Sequence, residues 1–94
     1  MNVNGKKISI IGAAKSGLSA AKTLLDAGAK IFISDIQSEE KLKAALINSN
    51  LEKKVEFEFG GNTDKVLSAD FIILSPGVRS DIPILKKAIL LFSE

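Results

Sequence analysis

The feature that most limits how this chain can fold is one stretch, Lys7-Ile-Ser-Ile-Ile-Gly12-Ala-Ala14-Lys-Ser-Gly17-Leu-Ser-Ala-Ala21. Ile8–Ile11 is a short, almost wholly apolar run, the pattern of a central strand covered on both faces. It ends at Gly12 in a turn of small residues, and a helix begins at Ser16 or Gly17. Leu18, Ala21, Leu24 and Leu25 recur at helical spacing and give that helix one apolar stripe, with Gly28 as its stop. A strand that turns directly into a helix leaves the first amides of the helix at the strand's carboxyl end. Those amides and the helix dipole suit a phosphate group.

The rest of the chain repeats the unit. Ile31-Phe32-Ile33 is a second apolar run and ends at Ser34-Asp35. Ser38 reads as a helix N-cap with Glu39 and Glu40 in the first turn, where the dipole favours acids, and Leu42, Ala45 and Leu46 form the buried stripe. Val55-Glu56-Phe57-Glu58-Phe59 alternates strictly, which predicts an edge strand with one polar face. Gly60-Gly61-Asn62 is a turn, and Asn62 is placed to cap a short helix through Leu67. Phe71–Leu74 reads as a fourth, central strand closed by Ser75-Pro76-Gly77. Pro83 suits the start of a last helix, where its missing N–H costs nothing, and Ile84, Leu85, Ala88, Ile89 and Phe92 form that helix's face. The order βαβαβαβα predicts an α/β fold of three layers, a doubly wound parallel sheet with strand order 3-2-1-4. A fifth strand is expected beyond or at the end of the chain, so residues 1–94 read as one domain, the first of something longer.

Composition narrows the chemistry. With 94 residues there is one domain at most, and 46% apolar residues suffice for its core. Thirteen basic and eleven acidic residues are interspersed, with a formal charge of +2 and no Trp or Tyr to stack on bases, which argues against nucleic acid as a partner. Without cysteine or histidine the chain lacks disulfides, thiolate metal sites, and the commonest general base and metal ligand. No catalytic or metal-binding residues stand out. No apolar run approaches the roughly 20 residues that span a membrane, and the polar N-terminus is unlike a secretion signal, so a cytoplasmic protein is expected.

In order 3-2-1-4 the winding reverses between strands 1 and 4, and a ligand crevice is expected outside the carboxyl ends there. Gly12–Gly17, Asp35-Ile36-Gln37 and Ser75–Val78 all reach that edge. Lys15, Ser16 and Gly17 offer a charge, a hydroxyl and helix-start amides to phosphate. Asp35 suits a ribose diol or a base N–H and would repel a 2′-phosphate. Ser75, Pro76 and Gly77 form a rigid turn whose backbone can approach a planar ligand. Each also has a plainer role: small residues packing a tight turn, a solvated lysine, a serine cap, an acid closing a turn. Arg79 and Asp81 read as solvated surface. Glu39, Glu40, Glu56, Glu58 and Asp64 show no catalytic pairing and read as solvated helix ends or an exposed strand face. The turn is not a P-loop, because Leu18 follows Gly17.

The segments Gly12-Ala-Ala-Lys-Ser-Gly-Leu-Ser-Ala-Ala21, Gly28-Ala29, Ser34-Asp35, Phe59-Gly60-Gly61, Asp70-Phe-Ile-Ile-Leu-Ser75-Pro-Gly-Val78 and Asp81-Ile-Pro83, in this order and spacing, resemble the N-terminal domain of the D-glutamate-adding Mur ligases of peptidoglycan synthesis. The resemblance covers nearly the whole chain. It implies a Rossmann-like domain that holds the UDP part of UDP-N-acetylmuramoyl-L-alanine within an ATP-dependent ligase working through an acyl-phosphate. By position, it sets Lys15, Ser16 and the turn backbone against the diphosphate, Asp35, Ile36 and Gln37 at the uracil, and the Gly77 backbone near the uracil. Two residues depart from the family pattern: Ala14 replaces a common Gly, and Asn62 a common His. The Gly-Lys-Thr loop for ATP does not occur in these residues. The resemblance therefore assigns ATP and Mg2+ to the full-length ligase, in central and C-terminal domains missing here, and this piece alone should bind and not catalyse.

Two other readings stay open at the level of sequence. One is an NAD- or FAD-binding domain of an oxidoreductase or nucleotide sensor, which Asp35 suits and Ala14 does not. The other is a nucleotide-free interaction module of the same fold.

Overall fold

The computed structural model of the chain describes residues 2–79 and 81–92, with side chains described as far as Lys87. Four strands, β1 (Lys7–Ile11), β2 (Lys30–Ser34), β3 (Glu56–Glu58) and β4 (Phe71–Leu74), form one sheet in the order β3-β2-β1-β4. Every pairing is parallel, as the expected 3-2-1-4 order requires. Helix α1 (Lys15–Asp26) joins β1 to β2, and α2 (Glu39–Asn48) joins β2 to β3. A 3-10 turn (Asp64–Ser68) lies between β3 and β4, and α3 (Pro83–Phe92) follows β4.

The two faces of the sheet carry separate cores. Ile8 and Ile10 of β1 and Ile31 and Ile33 of β2 pack against Ala21 of α1 and Leu42 and Leu46 of α2, and Leu18, Leu24 and Leu25 add half-buried cover. On the other face Ile11, Val66 of the 3-10 turn and Ile84 of α3 form a smaller cluster with Phe32, Ile72 and Leu74 around it. Ile10, Ile33, Leu42 and Leu46 are fully buried. Each such side chain contributes about 1.5–3 kcal/mol of transfer free energy, so among the described residues the α1–α2 face holds most of the stabilisation. Ser9 points into the smaller face and is satisfied there, its hydroxyl donating to the Val66 carbonyl at 2.9 Å.

Helix ends follow local chemistry. After α1, the Gly28 and Ala29 amides donate to the Leu25 and Leu24 carbonyls, a C-terminal lock that glycine permits. After α2, Asn50 (φ 58°) replaces glycine, and the Asn50 and Leu51 amides donate to Ile47 and Leu46. Ser38 caps α2 as its spacing predicts, accepting from the Lys41 amide at 3.3 Å with Glu39 and Glu40 in the first turn.

Four expectations change, and a fifth lies partly outside the described residues. Helix α1 starts at Lys15, with Ala14 at the cap position, so Ser16 lies inside the first turn and caps nothing. The 3-10 turn is capped by Thr63, not Asn62, because the Asn62 side chain faces Ser34 instead. β3 spans Glu56–Glu58 only, and the alternation is inverted at its end: Phe59 is 46% exposed and Glu58 8% exposed. The reason is the β3 to 3-10 connection, which folds over the sheet face that carries Glu58. β4, read as central, pairs only with β1 among the described residues, and its side chains are exposed or half-buried. Of the face expected for α3, Ile84 is buried and Leu85 half-buried, while the Ala88, Ile89 and Phe92 side chains lie outside the described residues.

Candidate functional site

At the carboxyl ends of β1, β2 and β4 the chain makes three turns, and two buried side chains bind them to one another. Asp35, 7% exposed at the end of β2, turns its carboxylate toward the β1–α1 turn. Its Oδ2 accepts from the Ala13 amide at 2.6 Å and from Gln37 Nε2 at 3.1 Å, and its Oδ1 accepts from the Gln37 amide at 2.9 Å. Ser75, 2% exposed at the end of β4, donates its hydroxyl to the Gly12 carbonyl at 2.7 Å. The Gly12 amide donates to the Ser34 carbonyl and the Ser75 amide to the Ile11 carbonyl, both at 2.9 Å.

Small residues permit this closeness. A Cβ on Gly17 would lie far inside contact distance of both the Gly12 carbonyl oxygen and Ser75 Oγ. Gly12 has φ 97° and is backed by Ser75 and Val78, so both space and backbone conformation demand glycine. At Gly77 (φ 94°) a Cβ would meet nothing within 4 Å; this glycine shapes the turn and leaves open space beside it.

The start of α1 is the chemical centre. Ala14 has extended backbone at the cap position (φ −72°, ψ 171°), its side chain makes no capping bond, and the first turn holds no acid. The first intrahelical donor is the Leu18 amide, which donates to the Ala14 carbonyl at 2.9 Å. The amides of the first turn therefore point out of the helix without an internal side-chain acceptor, and the positive end of the dipole is unopposed. Ala14, Lys15 and Ser16 are exposed, so an anion reaches this end freely. Lys15 adds a positive charge at a helix start, where it costs the free domain stability and would favour an anion.

The structure thus sorts the expected site residues. Lys15, Ser16, Ile36 (73% exposed), Pro76 and Gly77 present surface to the crevice edge, and Gln37 is half-buried beside them. Gly17 and Ser75 are interior packing residues of the same site. Asp35 is mostly internal: a carboxylate has about four acceptor positions, and three are filled from within. Arg79 and Asp81 pair with each other on the surface, at 2.7 Å and 3.0 Å, and reach no other site residue. A surface groove of about 250 Å³ lies at the opposite end of the sheet, among Lys7, Lys30, Phe32, Glu56 and Lys65. It arises because the short 3-10 turn covers less of that face than a full helix would.

Sequence reasoning missed Glu58, which it placed on a solvated face. Its carboxylate accepts from Ser34 Oγ at 2.6 Å, from the Thr63 amide at 2.9 Å and from Thr63 Oγ1 at 2.5 Å. Burial alone raises its pKa, but the Ser34 and Thr63 donors and the Lys65 charge outweigh it and hold the carboxyl below the usual glutamate value. The available signal was position: Glu58 ends a strand just before the Gly60-Gly61 turn.

The chain is similar to known proteins along its whole length. The family described as "Mur ligase MurD-like, N-terminal domain" matches residues 6–91. A UDP-N-acetylmuramoylalanine–D-glutamate ligase from Elusimicrobium minutum is 45% identical over 83 residues, which are 88% of this chain and 17% of that protein. Enzymes of the same name from Chlorobium phaeobacteroides and Chloroherpeton thalassium are 37% and 41% identical, covering 100% and 90% of this chain. The chain spans only 17% to 20% of the length of these relatives. A solved bacillithiol disulfide reductase from Staphylococcus aureus superposes on 89% of this chain and 32% of its own with TM-score 0.56; at 21% identity that likeness shows the fold alone. A parallel sheet in the order β3-β2-β1-β4 with an uncapped helix start at its crevice, matched by this family almost from end to end, belongs to the MurD-like N-terminal domains of the Mur ligases.

Proposed function

We propose that this domain binds the UDP end of UDP-N-acetylmuramoyl-L-alanine, as the first domain of a cytoplasmic, ATP-dependent ligase that adds D-glutamate in peptidoglycan synthesis. The observation that carries the reading is the α1 N-terminus, the one α-helix start with described caps that lacks both a capping side chain and a first-turn acid. The diphosphate takes the first-turn amides, with the Ser16 hydroxyl and the Lys15 charge beside them. The uracil lies over Ile36 and Gln37 and approaches the Gly77 backbone. Asp35 has one acceptor position left for a uracil N–H or ribose hydroxyl, and its other bonds hold the two loops in register for the ligand.

The family also supports the rest of the chemistry, which lies outside these residues. ATP and Mg2+ are needed to activate the substrate carboxylate as an acyl-phosphate, which the D-glutamate amine then attacks. Leu18 follows Gly17 where a P-loop has the Lys-Ser/Thr pair that grips ATP phosphates, so no step of that reaction is assigned to this domain. Calorimetric titration with UDP-N-acetylmuramoyl-L-alanine, NAD and ADP in parallel tests the reading. Saturable binding of the UDP compound alone is expected, and preferential binding of NAD would replace the reading with a dinucleotide site.

A further inference from the structure

Asp35 and Glu58 are the two buried carboxylates among the described residues. Asp35 belongs to the crevice; Glu58 does not reach it, yet its bonds end there. Glu58 holds both ends of a short segment. Its backbone carbonyl accepts from the Asp35 amide at 3.2 Å, and its carboxylate takes both the amide and the hydroxyl of Thr63. Between these anchors the chain makes the Gly60-Gly61 turn. The Gly60 amide donates to the Gln37 carbonyl at 2.8 Å and the Gly61 amide to the Asp35 carbonyl at 3.3 Å. The same Glu58 carboxylate also accepts from the Ser34 hydroxyl, whose hydrogen bond is shared with Asn62 Oδ1 at 2.7 Å. Ser34 immediately precedes the loop that carries Asp35, Ile36 and Gln37.

We infer that Glu58 is a positioning residue for the nucleoside half of the site: its buried carboxylate pins the Gly60–Thr63 turn, and that turn fixes the backbone of Asp35–Gln37 where the base is read. The inference rests on the UDP-binding reading above. Its physical content is preorganisation. Ile36 is exposed and has few packing contacts to place it, so the loop depends on backbone bonds from the turn behind it. With the turn released, the loop samples other conformations, and a ligand that needs one of them binds more weakly by the fraction lost. The diphosphate half meets this turn only through Asp35 Oδ2, and the Gly12 and Ser75 bonds hold the β1–α1 turn without it.

The test compares Glu58→Gln with the unaltered chain by heteronuclear NMR, using UDP and inorganic pyrophosphate as separate probes. The substitution keeps the volume of the side chain but brings an NH2 against the Thr63 hydroxyl. The expected result is UDP binding weakened about tenfold, the loss if the competent loop falls to about a tenth of the population. Pyrophosphate binding should change far less than UDP binding, and hydrogen exchange at the Gly60 and Gly61 amides should be faster without ligand. Equal UDP affinity in the two proteins overturns the inference and leaves the UDP site standing. Parallel loss of UDP and pyrophosphate binding overturns it too, reducing Glu58 to a general stabiliser. An unaltered chain that ignores UDP removes the reading beneath it and the inference with it. If the Glu58→Gln protein does not fold, Ser34→Ala, which removes one donor and no charge, carries the same test with a smaller effect of about threefold on UDP alone; no effect on UDP would again overturn the inference.

Discussion

The starts of α1 and α2 are two versions of the same object, and they have been finished differently. The α2 start is closed by its own residues, with the Ser38 hydroxyl on the Lys41 amide and Glu39 and Glu40 against the dipole. The α1 start has none of these: alanine at the cap, no acid, and a lysine in the first turn. A cap is worth about 1 kcal/mol, so α1 gives up stability that α2 retains. The α2 start faces solvent, with the Gly60-Gly61 turn bonded behind it to the Gln37 carbonyl and not against its first-turn amides. The α1 start sits at the sheet's switch point, with two other turns bound against it by Asp35 and Ser75. On the proposed reading the difference marks where the chain leaves donors for a ligand, and it does so through missing residues as much as through present ones.

The comparison can be broken by filling the gaps at α1. The largest effect is expected at Gly17, where an added Cβ collides with Gly12 and Ser75. Gly17→Ala should cost about 3 kcal/mol of stability, at the upper end of overpacking, read as a lowered urea midpoint. An unshifted midpoint would mean that α1 can move off the turn, and that the three turns are not held as tightly as their bonds suggest.

Next is Asp35→Ala, which removes an acceptor from Ala13 and Gln37 and leaves buried donors unpaired. Nucleotide affinity should fall by about 1–3 kcal/mol, measured by calorimetry on protein shown to be folded. Unchanged affinity would reduce Asp35 to a residue that closes a turn.

Sharper still is an exchange of caps. Ala14 already has the extended backbone of a capping residue, so Ala14→Asp should stabilise the free domain by about 1 kcal/mol while weakening nucleotide binding, because the new carboxylate takes the amides and repels the diphosphate. Ser38→Ala should do the reverse: about 1 kcal/mol less stability in thermal melting and the same affinity. If both changes act on stability alone, the two helix starts are equivalent and the comparison fails.

The smallest effect is a pH dependence at Glu58. Its pKa is lowered in the folded domain, so the deprotonated form binds the fold better and adds stability at pH values above the unfolded glutamate value of about 4.3. That contribution disappears as pH falls below this value and through the folded pKa. The gap in melting temperature between the unaltered chain and Glu58→Gln should therefore be widest near neutrality and shrink in acid. A constant gap would mean that folding does not lower the Glu58 pKa.

Much of this was legible in the residues. Ile8–Ile11, Ile31–Ile33 and Phe71–Leu74 are apolar runs too short for helices, and the short connections between them left one simple strand order. The convergence of Lys15, Asp35 and Gly77 followed from that order. What escaped depends on partners distant in sequence. Nothing local says that Glu58 is buried while Phe59 is not, because the decision is made by the turn that folds over β3. Spacing offered Ser75 and Asp35 as ligand contacts, and only the packed turns reveal that one hydroxyl faces Gly12 and that three carboxylate positions are already filled. The cap at α1 was placed near Ser16 because serine is a good cap, whereas the helix begins a residue earlier and goes uncapped.

The most direct test of the central claim is an NMR titration of this chain with UDP-N-acetylmuramoyl-L-alanine, following the backbone amides of Lys15, Ser16, Ile36 and Gly77. Saturable shifts at all four, with the Lys41 amide at the capped α2 start unmoved, are the result expected if the open helix start is the nucleotide site. Shifts confined to other parts of the sheet, or none at these amides at saturation, would contradict it.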